Sequence, residues 1–475
     1  MTTKAIFLLK FIAILDLGGA LLFTFVAISR KRDPAVTLAW VLGFFLLPVV
    51  GMLLYVFFGY QRFALRRRAA PNPLHRLLLL KESAERFPGG EPLAKTPMET
   101  LAEALTDFPA LGGNRVDVYT RSDDTEEALT RAIRLARHHV HMCYYIFEPD
   151  RTGLRFRDLL IEQARRGVEC RVLMDAVGSY RIGPSFLKPL QQAGVKTAFF
   201  NPFRTFKRPW AFNARNHRKL TVVDGTIGFM GSQNIGHHFW RSGSRRIQWR
   251  ETDIRLEGPA TVELQTVFAE DWHFATGENL LGDAYFPPPT TRGVTRAQLL
   301  PTGPNKRENI LGMIFLEALH SARHRVTLTT PYFIPTPSMT LAMQTAARKG
   351  VRVDLLLPRR TDHPVVTWAA RSWYKELLES GVHVYEFNEA FIHSKVVTVD
   401  GRWALMGSAN MDTRSFLINF ELSLLLDDAD TAGHLEKQFD RMVDGAVRVK
   451  ADPLAELSFT RQFWEGLCRL LSPLL

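Results

Sequence analysis

Two stretches of this chain carry the same set of chemically capable residues. The first reads His217-Arg218-Lys219, then Asp224, then Gly231-Ser232-Gln233-Asn234. The second reads His393-Ser394-Lys395, then Asp400, then Gly407-Ser408-Ala409-Asn410. Both fit H-x-K-x4-D-x6-G-S-x-N. One H-x-K-x4-D can arise by chance in a long chain, whereas two copies at identical spacing form a strong signal. His and Lys two apart on a strand point to the same face, so an imidazole stands beside an ammonium. The ammonium can hold a phosphate oxygen while the imidazole reaches phosphorus. The Gly-Ser turn brings hydroxyl, amide and backbone N–H donors toward the same pocket. If the two copies face each other, two imidazoles, two ammoniums and two amides surround one phosphate. The protein then supplies the positive charge itself, and neither a metal nor another cofactor is expected. Asp224 and Asp400 complete the motifs and stand with their histidines and lysines as catalytic candidates, but each falls an odd number of residues after its histidine. Odd offsets face away along a strand, so these carboxylates are expected to hold the following turn or the domain interface.

The elements that must position these groups also occur twice. The strand-like run His139–Phe147 is followed by Leu159–Ala164, Arg165-Arg166-Gly167-Val168 and a strand at Cys170–Met174. Val326–Ile334, the stretch from Ala346 to Val351 and a strand at Val353–Leu357 repeat that order. Ala193-Gly194-Val195 corresponds to Ser380-Gly381-Val382, and each leads through a strand to a histidine motif. Strands alternating with helical runs predict an α/β fold: two domains with pseudo-twofold symmetry, each a mixed, mostly parallel sheet flanked by helices. The first domain is placed at 116–290, the second at 291–475, and 69–115 reads as a linker with some helix. The first copy has an insertion from about Phe199 to Ala214, where Phe200, Phe203, Phe206, Trp210 and Phe212 alternate with Arg204, Lys207 and Arg208. It fits either a loop dipping into lipid headgroups or a packed loop with a basic rim.

The first 68 residues differ in kind. Ala5–Ile28 is almost wholly apolar, Arg30-Lys31-Arg32 forms a basic turn, and Ala35–Tyr60 is apolar again with Pro48 inside it. Each run is long enough to span a bilayer, which predicts two transmembrane helices. A cleaved signal peptide fits less well, because the first run is long and a second follows at once. Lys4 and the cluster Arg62, Arg66, Arg67 and Arg68 place the bulk of the chain in the cytoplasm. The net charge of +12 suits a polyanionic partner such as a nucleic acid, an anionic membrane surface or a phosphate substrate. The three cysteines, Cys143, Cys170 and Cys468, share no metal-ligand spacing and form no disulfide framework. Scattered histidines at 138, 139, 141, 237 and 238 have no counterpart in the other copy and read as surface or packing residues.

The paired motifs resemble those of the phospholipase D superfamily. Arg215-Asn216 before the first motif, Thr330-Pro331-Tyr332-Phe333, Arg414-Ser415-Phe416 and Asn419-Phe420-Glu421 are similar to its bacterial cardiolipin synthase branch, as is Asp33–Trp40 opening the second apolar run. The resemblance implies a phosphatidyltransferase acting through a phosphatidyl-histidine, with His217 as nucleophile and His393 as acid and base. Lys219, Lys395, Asn234 and Asn410 would bind phosphate oxygens, with Ser232 and Ser408 as lesser candidates. A carboxylate would orient each ring: Glu421 for His393, and Glu251 in Trp249-Arg250-Glu251-Thr252-Asp253 for His217. The family commonly has Arg-Asp-Thr-His there, so Glu251 and Asp253 both remain candidates for the ring contact. The implied reaction joins two phosphatidylglycerols into cardiolipin and glycerol at the bacterial inner membrane. A phospholipase D hydrolase, or a transferase using phosphatidylethanolamine, is the alternative. Anionic phospholipid and the bilayer are the expected partners. A nuclease of the same superfamily is disfavoured by the two apolar spans, and a non-enzymatic scaffold by the intact motifs in both copies.

Overall fold

A computed structural model describes residues 3–29, 34–59, 95–201, 213–240, 249–304, 309–451, 458–470 and 472. The chain forms two compact units, 1–67 with 203–214, and 68–202 with 215–475.

In the first unit, Thr3–Ser29 is one unbroken helix. At 1.5 Å per residue it extends about 40 Å, more than the ~30 Å of a bilayer's hydrocarbon core. Its segment Lys10–Ser29 is long and apolar enough to cross a membrane. The second apolar run behaves differently. Helix Pro34–Leu46 stops at Leu47, whose φ of −134° and ψ of 69° are not helical, and Pro48 starts a new helix, Pro48–Leu54, continued by a π turn at Tyr55–Gly59. The second piece folds back along the first. The Tyr55 ring lies 5.2 Å from Trp40 and 5.1 Å from Phe44. A straight helix would separate these residues by about 16 Å or more. A Cβ on Gly51 would sit 2.4 Å from the Gly43 carbonyl oxygen, so the close approach requires glycine. Over 1–68 the structure thus has one helix of spanning length followed by a bent pair in place of a second straight helix. Proline, lacking an N–H and crowding the preceding turn, is the cause.

The second unit is built on one 15-stranded sheet. The first copy supplies β1 (Leu111–Tyr119), β2 (His139–Tyr144), β3 (Glu169–Asp175), β4 (Lys196–Phe200), β5 (Lys219–Val223), β6 (Ile227–Gly231), β7 (Trp249–Arg250) and β8 (Asp253–Glu257). The second supplies β9 (Thr295–Thr302), β10 (Arg325–Thr329), β11 (Phe333–Ile334), β12 (Arg352–Pro358), β13 (His383–Phe387), β14 (Phe391–Ile392), β15 (Val396–Val399), β16 (Trp403–Gly407), β17 (Met411–Asp412), β18 (Glu421–Asp427) and β19 (Ala446–Arg448). Outward from the centre, the first half runs β1-β8-β6-β5-β2-β3-β4 and the second β9-β18-β16-β15-β10-β12-β13, with β19 added at the edge. The halves meet where β1 pairs antiparallel with β9, at Leu111–Ala297 and Asn114–Thr295. The pseudo-twofold relation passes between those two strands.

Within the large sheet, parallel pairing is confined to β2–β3–β4 and β10–β12–β13. The other ladders of the large sheet are antiparallel, including the motif hairpins β5–β6 and β15–β16. The sheet is mixed, as expected, but its ladders are mostly antiparallel rather than mostly parallel. Strands covered on both faces read as unbroken apolar runs whichever way they pair. Helices such as Arg151–Arg165 and Ala260–Thr276 in the first half, and Ile310–Ser321 and Pro337–Arg348 in the second, flank the sheet.

The linker does carry the expected helix, Pro97–Thr106, closed by a capping box between Thr96 and Glu99. Its Met98 and Ala102 join the core of the second half beside Leu300, Ile310 and Leu311. β1 also begins inside the expected linker. In the insertion, residues 202–212 lie outside the described residues, so the headgroup role of Phe203, Phe206, Trp210 and Phe212 has no structural counterpart here. Phe200, by contrast, is buried, stacking on Phe274 and meeting Phe420 edge-on. Cys143, Cys170 and Cys468 are free, buried thiols.

Candidate active site

Each histidine sits just ahead of its motif strand and is anchored by the other copy. The segment before β5 bridges Asn216 to Phe420 in parallel, and the His217 N–H donates to the Phe420 carbonyl at 2.9 Å. Likewise β14 pairs in parallel with β7, and the His393 N–H donates to the Arg250 carbonyl at 2.8 Å. The residue after Phe420 is Glu421, and the residue after Arg250 is Glu251. His217 Nδ1 lies 3.0 Å from both Glu421 carboxylate oxygens. His393 Nδ1 lies 2.9 and 2.8 Å from those of Glu251. The expected assignment is therefore exchanged: Glu421 holds His217 and Glu251 holds His393. The short parallel bridges between copies impose the exchange, because they deliver each glutamate beside the opposite histidine. Glu251, not Asp253, touches the ring. Asp253 instead accepts the Gln233 N–H and the Thr125 hydroxyl.

Ser232 and Ser408, expected near phosphate, are committed to the glutamates. Ser232 Oγ donates to Glu251 and Ser408 Oγ to Glu421, both at 2.5 Å, and each accepts a main-chain N–H, from Thr252 and Leu422. The result is two chains of the same form, Ser408–Glu421–His217 and Ser232–Glu251–His393. Lys219 and Lys395 are buried, and each ammonium donates to the carbonyl of its own motif histidine. Asn234 Oδ1 accepts the Ile146 N–H at 3.1 Å. Asn410 Oδ1 is buried with no partner among the described residues.

Asp224 and Asp400 stand apart from this cluster. Asp224 adopts a left-handed φ of 52° and receives the N–H groups of Arg137, His138 and His139. Asp400, at φ 54°, receives those of Arg323, His324 and Arg325. Each carboxylate ties the turn after a motif strand to the start of its neighbour, β2 or β10.

The charges are strongly coupled. Burial pulls both imidazoles down to about 4; the partner glutamates oppose this and the lysines reinforce it. Burial pushes Glu421 and Glu251 up, but the facing rings, the lysines and the serine hydroxyls more than offset it, and both stay below the usual carboxylate range. We read each pair as an anionic glutamate and a neutral imidazole. Nδ1–H then donates to the carboxylate, which leaves the Nε2 lone pair free. Burial also lowers Lys219 to about 7 and Lys395 to about 8, against the pull of both glutamates. Each histidine feels the lysine of the other copy, and Lys219 feels Lys395, so the four groups share one electrostatic site. Asp253, buried beside Glu251, is pushed up to about 8.

Sequence reading gave no role to several residues that complete the site. The Tyr145 ring meets His217 edge-on at 4.9 Å and lies 5.4 Å from the Lys219 ammonium. Trp249 meets His393 at 5.0 Å. Arg218, between His217 and Lys219, donates to Asp271 at 2.6 Å, to the Glu421 carbonyl at 3.0 Å and to the Thr302 carbonyl at 3.1 Å, lashing the copies together. Its alternate position in the motif was the available signal, since it must face away from His and Lys.

Comparison with known proteins gives a consistent picture. The family described as "Cardiolipin synthase, PLD-like domain" matches residues 129–272 and 315–443, and the family "Phospholipase_D-nuclease N-terminal" matches 19–59. The chain is 35% identical over 456 residues to a cardiolipin synthase of Geobacillus kaustophilus, covering 94% of this chain and 90% of that one. It is 34% identical over 481 residues to that of Geobacillus thermodenitrificans, covering 98% and 94%. Among solved structures, a phosphatidylserine synthase of Haemophilus influenzae superposes with a TM-score of 0.59 at 15% identity, covering 79% of this chain and 96% of the other, which shows a shared fold.

Proposed function

Because this chain belongs to the cardiolipin synthase family of phospholipase D-like proteins, we propose that it transfers a phosphatidyl group from one phosphatidylglycerol to the hydroxyl of a second, leaving cardiolipin and releasing glycerol. The supporting observation is the crossed pair of glutamate–histidine couples with two buried lysines beside them. Neutral His217 attacks phosphorus through Nε2, with Glu421 stabilising the positive charge that the ring acquires. The phosphorus–oxygen bond to glycerol breaks, and the departing oxygen takes a proton from His393. The bound phosphodiester, an anion beside His393, raises that ring's affinity for the proton, which solvent supplies before the step. In the second half, His393 removes the proton from the incoming hydroxyl, the hydroxyl oxygen attacks phosphorus, and the bond to His217 breaks. Two displacements replace one difficult step, and the same imidazole serves as acid and then base. Lys219 and Lys395 through their ammoniums, and Asn234 and Asn410 through their amide NH2 groups, hold the phosphate oxygens.

The net charge of +12 suits an anionic partner, and the spanning-length helix favours a lipid in a bilayer over a nucleic acid. The basic cluster Arg66-Arg67-Arg68 after the apolar runs favours a cytoplasmic position for the catalytic unit at the inner membrane. The test is to incubate the purified protein with phosphatidylglycerol and a chelator and to analyse the lipids and the released alcohol. Cardiolipin with glycerol is expected. Phosphatidic acid without cardiolipin would mean hydrolysis, product only on adding phosphatidylethanolamine would mean a different co-substrate, and loss of activity on chelation would contradict a metal-free mechanism.

A further inference from the structure

The last described helix, Phe459–Leu470, is packed the wrong way round for a helix in water. Its charged stripe faces the protein. Glu465 is buried and pairs with Arg461 at 2.9 Å, while Arg469 pairs with Glu376 at 2.8 Å and lies over the Trp373 ring. Its apolar stripe faces outward: Phe459 is 83% exposed, Phe463 and Trp464 56%, Leu467 38% and Leu470 77%. Phe459, Phe463, Leu467 and Leu470 fall at helical spacing, so they form one continuous face. The helix packs against Pro364–Arg371, which adds exposed Val365 and Trp368. Two exposed cations, Arg359 and Arg360, precede that second helix.

We infer that this helix pair lies in the headgroup layer of an anionic bilayer and holds the catalytic unit against the membrane surface. The occupant follows from the chemistry of the face. An outward face of phenylalanine, tryptophan and leucine, with Arg359 and Arg360 just ahead of the helix beside it, matches an interface of anionic headgroups over acyl chains, where aromatic rings concentrate. An apolar face this continuous is disfavoured in water. The chain also carries a spanning-length helix, so a bilayer is always within reach. The pair is fixed to the site: Cys468, Val366 and Ala369 pack on Ile334 of β11, and β11 pairs with β17, which directly follows Asn410. Docking there would present headgroups to the phosphate-binding side chains. The inference rests on the proposed lipid substrate for its purpose, but not for its geometry.

The test uses the full chain reconstituted in phosphatidylglycerol–phosphatidylethanolamine vesicles. A Phe463→Cys variant carries an environment-sensitive fluorophore, which is feasible because the native cysteines are buried. A Leu281→Cys variant, on an exposed loop of the first half, serves as control. Lipid bearing a shallow doxyl quencher is expected to quench position 463 and not 281. An unquenched 463, or a signal that varies only with protein density as a contact between chains would, overturns the inference. Independently, the triple variant Phe463→Ser, Trp464→Ser, Leu467→Ser should slow turnover on vesicles by at least about fivefold while sparing a short-chain monomeric phosphatidylglycerol. Equal loss on both substrates would show a merely structural role and overturn it. If no lipid is converted under any condition, the proposed reaction fails while the quenching result still decides the docking.

Discussion

At the scale of the residue, the crossed glutamates make a discriminating prediction. A Glu→Gln change keeps the size of the side chain but cannot stabilise a charged ring. Glu421→Gln should therefore impair formation of the phosphatidyl-histidine, and Glu251→Gln the proton transfers of His393. Each should lower kcat on the order of 10²–10⁴-fold. Rapid-quench measurement of labelled lipid bound to protein separates them: the Glu421 variant should show little adduct, and the Glu251 variant slow turnover of the adduct. The reverse pattern would exchange the roles of His217 and His393. A second prediction follows from the lysines. Their lowered affinities mean that the charged ammonium is lost as pH rises through about 7 for Lys219 and about 8 for Lys395. The kcat/KM, which reports the free enzyme, should thus fall across that window, far below the range in which an exposed lysine titrates. Lys395→Arg should extend activity to higher pH at some cost in rate, because arginine keeps its charge. The motifs themselves were legible, since residue types at fixed spacing encode which groups share a face. The partner of each histidine was not. Glu251 and Glu421 occupy equivalent places in the two copies, and only the bridges Asn216–Phe420 and Phe391–Trp249 decide which ring each one meets.

At the scale of the element, the motif aspartates act on turns. Asp400 gathers three N–H groups from the start of β10 while holding a left-handed backbone. Asp400→Ala leaves those donors without their acceptor and keeps the unfavourable φ, and it should destabilise the protein by about 2–4 kcal/mol. Thermal unfolding should show the loss, and kcat at low temperature should remain close to that of the parent chain. A collapse of kcat in a fully folded variant would instead place Asp400 in the chemistry. The odd offset from His393 pointed to this role in advance, because a strand's two-residue period fixes the side. The second apolar run was less legible. Composition set its length, but the conformation at Leu47 and Pro48 turned one expected span into two short helices. The first of these, at 1.5 Å per residue, is about 20 Å long, short of a bilayer core. Its start and the end of the returning piece should emerge on one side. Cysteines at positions 34 and 59 should react with an impermeant reagent from the same face of sealed vesicles; labelling from opposite faces would restore a second crossing.

At the scale of the molecule, neither repeat is a complete unit. The sheet continues through β1 and β9, and each imidazole takes its carboxylate from the other half. Arg218 reaches across to Thr302 and Glu421, and the helix Pro97–Thr106, which precedes the first half, covers the core of the second. The repeat was legible as a duplication sharing one site, yet each histidine was given the carboxylate of its own copy, because periodicity reports similarity and not which copy a side chain completes. A cut in the backbone and a separation of the halves should therefore have opposite consequences. A protease site inserted after Thr290, in an exposed connection, leaves the β1–β9 ladder, the Arg218 contacts and both glutamate–histidine couples intact. The nicked chain should elute as one particle and keep most of its activity. Residues 291–475 expressed alone lack Met98 and Ala102 over their core and Glu251 beside His393, and they should aggregate and show no turnover. If that piece alone were soluble and active, the single site shared between copies could not be the catalytic one.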